Sequence, residues 1–125
     1  MDFETGGIIK SSDKEKKGFA TAKFYAAMEF AGIAIRGDDL SELIRYDDKI
    51  KPYDSNLLYD PEAAQITGVT KDDVEENGID IEELMSNFTQ LCNIANKETS
   101  RFRKAILVGH NITYDIPFLI DIANR

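Results

Sequence analysis

Cysteine is nearly absent from this chain. Cys92 is the only one in 125 residues, so no internal disulfide can form. No apolar run approaches the ~20 residues that span a bilayer, and no basic N-terminal region leads into an apolar stretch as in a secretory signal. These absences lead us to expect a soluble protein in a reducing, cytoplasmic setting, with no membrane partner. Internal repeats and low-complexity tracts are missing too. Positive charge is also short: 15 Lys and Arg stand against 23 Asp and Glu, a formal net charge of −8. That excludes a protein that grips nucleic acid through a broad basic surface. It leaves room for an enzyme that engages one strand end through bound metal ions.

What is present suffices for one core. A hydrophobic share of 42% over this length supports a single domain, residues 1–125, and is too little for two. Met1–Glu4 reads as the end of a strand, closed by a turn at Thr5-Gly6-Gly7. Residues 8–23 are polar and Lys-rich and read as a loop. Its Lys10, Lys14, Lys16, Lys17 and Lys23, like Arg101, Arg103 and Lys104 further on, read as solvated loop charge. Ala26–Arg36 and Glu42–Ile50 are rich in strand formers, and Gly37-Asp38-Asp39 between them supplies turn chemistry, so the pair predicts an antiparallel hairpin.

Asp60-Pro61 starts a short helix that ends at Gly68, and Thr70 caps another that ends at Asn77-Gly78. Asp80, with Glu83 three residues on, caps a longer helix. Ile81, Leu84, Phe88, Leu91 and Ala95 form its buried stripe, with Cys92 beside it as a core residue. Ala105–Val108 reads as a short buried strand parallel to the first. Tyr114–Ala123 reads as a closing helix that tolerates Pro117 only near its first turn. The order predicts an α/β or α+β layer with a mixed sheet.

Two segments carry possible chemistry. Asp2 and Glu4, two apart on a strand, share a face. Such a pair at a strand end suits a hard divalent ion, and it also suits an exposed charged terminus. Asp115 projects from the first turn of a helix that follows a strand. It reads either as a ligand-bearing group or as an acid that complements the helix dipole.

Taken together, the segments resemble a known family. Asp2-Phe3-Glu4-Thr5-Gly6-Gly7 resembles the first motif of the DnaQ-like, or DEDD, 3′–5′ exonucleases. Gly109-His110-Asn111 with Asp115 and Phe118-Leu119 resembles the second. Between them, Ala64–Thr70 is similar to the segment which that family places before its long helix. The resemblance spans nearly the whole chain, and the Lys-rich stretch after Gly7 is its least typical part.

The resemblance implies a ribonuclease H-like α/β fold, with a mixed five-stranded sheet flanked by helices on both faces. It implies removal of nucleotides from 3′ ends by phosphodiester hydrolysis with two Mg²⁺ or Mn²⁺ ions, one helping to generate hydroxide and one steadying the leaving oxygen. Asp2, Glu4 and Asp115 become the metal-binding and catalytic carboxylates, with Asp2 shared between the ions. Thr5 and Gly6 lie near the terminal nucleotide, Ile66 and Thr67 pack on its base, and His110 and Asn111 position the strand. The implied partner is single-stranded or 3′-ended nucleic acid, DNA ahead of RNA.

The family's third motif, which supplies the general base and a fourth carboxylate, has no counterpart here. Asp121 reads as a surface residue. The resemblance therefore implies an incomplete domain lacking its last strand and helix. Its activity is reduced or completed by a partner chain. The alternative is a non-catalytic nucleic-acid-binding or regulatory module that keeps the fold.

Overall fold

A computed structural model describes residues 1–7, 14–97 and 105–125, with the backbone alone for residues 14–18. Lys10, Arg101, Arg103 and Lys104 lie outside the described residues.

The apolar–polar alternation of the N-terminal half builds a three-stranded antiparallel sheet in the order β1 (Asp2–Thr5), β2 (Ala27–Ile35), β3 (Glu42–Lys49). The predicted hairpin is β2–β3, within a residue or so at each end. Cross-strand partners share a face, so the register sorts the sheet into two surfaces. Phe3 lies opposite Phe30, and Glu4 lies opposite Glu29, which in turn lies opposite Lys49. One surface is therefore aromatic and the other charged. The β1–β2 register shifts between Glu4 and Thr5, where Thr5 pairs with Ala27. Among the described residues the sheet is antiparallel throughout. Parallel pairing is confined to isolated bridges, Tyr25 with Leu58 and Ile50 with Ile79. The chain is thus an α/β protein with a smaller sheet than the resemblance implies.

Among the described residues five helices accompany this sheet: α1 (Lys14–Phe24), α2 (Pro61–Thr67), α3 (Lys71–Asn77), α4 (Ile81–Lys97) and α5 (Ile112–Ala123). Three begin where the capping residues lie. Asp60 accepts the Glu62 N–H at 3.0 Å, Thr70 the Asp73 N–H at 3.1 Å and Asp80 the Glu83 N–H at 2.8 Å. Gly68 ends α2 at φ 76°, a left-handed conformation that glycine adopts without steric cost.

The stripe on α4 buries Leu84 and Leu91, and with α5 it closes over the aromatic surface. Phe3, Phe30, Phe118 and Ile122 join them in one core, to which α1 adds Ala22. The ring of Phe30 lies 5.1 Å from that of Phe3 and 6.3 Å, edge-on, from that of Phe88. A smaller core of Met28, Val69 and Val74 seats α2 and α3 through Tyr59. No helix among the described residues is long and apolar enough to cross a membrane.

The structure corrects four sequence readings. Within the expected loop of residues 8–23, Lys14–Phe24 is a helix. Its apolar residues are few, so no periodic stripe marked it, and it is held by burying Thr21 and Ala22. The expected buried strand at 105–108 forms no ladder. Ile106 is 87% exposed, and the bond from the Met1 amine to the Val108 carbonyl at 3.0 Å falls on the residue before β1, so no ladder hydrogen bond of β1 itself reaches the segment. The closing helix starts two residues early, at Ile112, behind Asn111 in the left-handed conformation at φ 55°. Pro117 consequently sits inside α5, where it cannot donate to the Thr113 carbonyl. Cys92 is half-buried rather than part of the core, and burial pushes its thiol pKa up.

Asp121 does more than sit on the surface. Arg125 bonds it at 2.9 Å, reaches Asp54 at 2.6 Å, and lies over the Tyr53 ring at 5.1 Å. The Tyr53 hydroxyl accepts the Ala27 N–H at 2.9 Å, and burial raises its pKa to about 12. This set of contacts pins the end of α5 to the segment after β3.

Candidate carboxylate site

The site is organised by one bond. Phe3 faces the core with its side chain, and its backbone N–H donates to Asp115 Oδ1 at 2.9 Å. Asp115 is only 2% exposed. Its place in the first turn of α5, beside Phe118 on the core side, brings its carboxylate to the middle of β1. Asp2 and Glu4 flank Phe3 on the opposite surface, Asp2 exposed and Glu4 half-buried.

These acids feel one another. Burial pushes the Glu4 pKa above the usual carboxylate range, and repulsion from Asp2, Glu29 and Asp115 pushes it further. Burial also raises that of Asp115, and the Phe3 N–H pulls it partly back before Asp2 adds repulsion. Glu29 is the residue that sequence reasoning missed. Its pKa is raised by burial and then by Asp47, against the lowering effect of Lys49. A lone acid in the apolar run Ala26–Gly32 was the available signal, but its link to Glu4 needed the strand register.

Glu4, Asp115 and Glu29 all hold protons more tightly folded than unfolded. In the window just above the ordinary carboxylate range the native state binds more protons, so stability falls as pH rises through it. We expect these three acids together to make the wild type gain stability on mild acidification from neutral pH. Urea unfolding at stepped pH checks this. A stability that drops steadily as the pH is lowered through that window would contradict it.

The turn after Glu4 is tied down from several sides. Thr5 Oγ1 lies 3.0 Å from the Tyr114 hydroxyl and donates to the Gly7 carbonyl at 3.0 Å. Burial raises the Tyr114 phenol pKa, and hydrogen bonds with Thr5 and the buried Thr21 lower it. Gly6 is required by close approach: a Cβ there would lie 2.7 Å from the Leu58 carbonyl oxygen. Its own carbonyl accepts the Asp60 N–H at 2.6 Å, joining the turn to the start of α2.

The structure thus places Asp2, Glu4 and Thr5 along β1, Gly6 in the turn after it, and Asp115 against its middle. Ile66 is exposed in the last turn of α2, and Thr67 accepts the Val69 N–H at 3.2 Å. Among the described residues no hydrogen bond links either of them to the carboxylates. His110 is exposed in the turn before α5, and the Asn111 side chain accepts the Thr113 hydroxyl at 3.2 Å.

Chemically the oxygen-only donor set suits a hard divalent cation, whose charge would relieve the repulsion at Glu4. Geometrically, no group of three or more His, Cys, Asp or Glu among the described residues is arranged to hold an ion. Fold and site together define an α/β protein with coupled carboxylates at one edge of its sheet. No protein-family model matches the chain.

Proposed function

We propose that this chain is a metal-dependent 3′–5′ exonuclease domain of the DnaQ-like type, with the ribonuclease H-like fold that this implies. The observation that carries the reading is the Asp115–Phe3 bond, which joins the second motif to the strand bearing Asp2 and Glu4. The mutual repulsion of those carboxylates supports it as well, since perturbed acids at one site are a mark of function.

In this reading Asp2, Glu4 and Asp115 would hold Mg²⁺ or Mn²⁺, which would supply Lewis-acid stabilisation of the charge that develops during phosphodiester hydrolysis. The turn Thr5-Gly6-Gly7, fixed by Tyr114, receives the terminal nucleotide of a single-stranded or 3′-ended strand, DNA ahead of RNA. The side chains of His110 and Asn111 bound the same end of α5. Chemistry that needs a general base draws on a group beyond these residues, such as one from a partner chain.

The test is digestion of a 5′-labelled single-stranded oligonucleotide with Mn²⁺, beside Asp2→Ala and EDTA controls. A ladder shortening from the 3′ end in the wild type alone is the expected result. Intact substrate in a folded sample refutes hydrolysis and leaves the non-catalytic nucleic-acid-binding module as the reading.

A further inference from the structure

The one strongly basic element of the described chain is α1. Its sequence, Lys-Glu-Lys-Lys-Gly-Phe-Ala-Thr-Ala-Lys-Phe, holds four lysines and one glutamate in a protein of net charge −8. Thr21 and Ala22 turn inward, whereas Phe19 and Phe24 are 50% and 54% exposed and Lys23 is exposed beside them. Phe19 and Lys23, four residues apart, share a helix face. A large aromatic side chain left half in water twice within one turn and a half of helix is an expensive arrangement for a surface with no partner.

The helix also leads directly to the candidate site. Tyr25 follows Phe24, and its ring packs so closely on Gly7 that a Cβ there would collide with it. The Gly6 N–H donates to the Ala26 carbonyl at 2.8 Å, and Phe24 accepts the Leu58 N–H through its backbone at 2.7 Å. The basic, aromatic end of α1 therefore adjoins the turn that follows Glu4.

We propose that α1 is the binding element for a single-stranded nucleic acid, with Lys23 facing phosphates and Phe24 and Phe19 offering faces on which bases stack. The inference deepens the nuclease reading by naming where the strand beyond the terminal nucleotide lies. Charge complementarity selects the ligand, because α1 is positive where the carboxylate surface would repel a polyanion. A cation beside exposed aromatic rings is the combination used in sequence-tolerant strand binding. A membrane-lying helix would instead turn one continuous apolar stripe outward, and here Lys23 interrupts the outward face between the two rings.

The experiment is fluorescence anisotropy of a fluorescein-labelled oligothymidylate titrated with the full chain in EDTA at low salt. Removing divalent ions keeps the strand intact and separates binding from hydrolysis. The variants are Phe24→Ala, Lys23→Glu and, as a charge control outside α1 on the segment after β3, Lys51→Glu. All three residues are exposed, and circular dichroism checks that each variant stays folded.

Wild-type binding is expected to weaken about tenfold with Phe24→Ala, the scale of one lost stacking contact. Lys23→Glu should weaken it similarly and flatten its salt dependence, while Lys51→Glu leaves it within about twofold. Equal weakening by Lys51→Glu overturns the proposal, as does wild-type affinity in Phe24→Ala. Tighter binding to phosphatidylserine vesicles than to the oligonucleotide also overturns it, in favour of a lipid surface. Binding with the expected variant pattern but no Mn²⁺-dependent cleavage upholds α1 as the strand site and refutes the nuclease reading alone.

Discussion

Phe30→Ala is expected to lower the free energy of unfolding by about 3–5 kcal/mol, the range for removing a large aromatic from a packed core. Phe30 is fully buried in the central strand and touches aromatic neighbours on two sides, Phe3 on β1 and Phe88 on α4. The truncation thus opens a void where the sheet meets its covering helix, and backbone pairing on both flanks of β2 limits how far the walls can collapse. A domain of this size holds roughly 5–15 kcal/mol in total, so about a fifth or more of the stability is at stake. Urea titration reads it as a lower midpoint at unchanged slope. A shift corresponding to less than about 1 kcal/mol would mean that the ring cluster is not the centre of the fold.

Asp115 separates architecture from chemistry through two substitutions. Asp115→Asn keeps a side-chain oxygen to accept the Phe3 N–H and removes a charge that burial and Asp2 both disfavour. Its stability at neutral pH should equal or exceed that of the wild type, and the gain on mild acidification should shrink. Asp115→Ala leaves the buried N–H without an acceptor and should cost about 1–3 kcal/mol. Under the proposed function both variants lose Mn²⁺-dependent cleavage by about 100-fold or more, the scale of removing one member of a catalytic electrostatic set. Asp115→Asn that cleaves at the wild-type rate would show that the carboxylate is purely structural.

The sequence exposed those parts of the fold that local chemistry decides. Asp60, Thr70 and Asp80 marked three helix starts because a short polar side chain before a helix has one dominant use, and Gly68 marked a stop for the same kind of reason. The hairpin was legible from two segments rich in strand formers and from Gly37-Asp38-Asp39 between them. Helix α1 was not, because its stability comes from burying small residues, Thr21 and Ala22, against the core rather than from a periodic apolar stripe. Ala105–Val108 misled in the opposite direction. Four apolar residues look like a buried strand, yet burial depends on a neighbour being present alongside, which composition does not reveal.

At the site, Asp2 and Glu4 could be paired from strand alternation alone. The approach of Asp115 to Phe3 and the pairing of Glu29 with Glu4 depend on tertiary register, which no spacing in the chain encodes.

The bond from Phe3 to Asp115 also bears on how the sheet ends. Phe3 turns its N–H away from β2, toward the outer side of β1, where a further β-strand would seek a donor. The buried Asp115 carboxylate occupies that donor from α5. The same side chain that gathers the site therefore takes the place of one more strand at this position of the sheet.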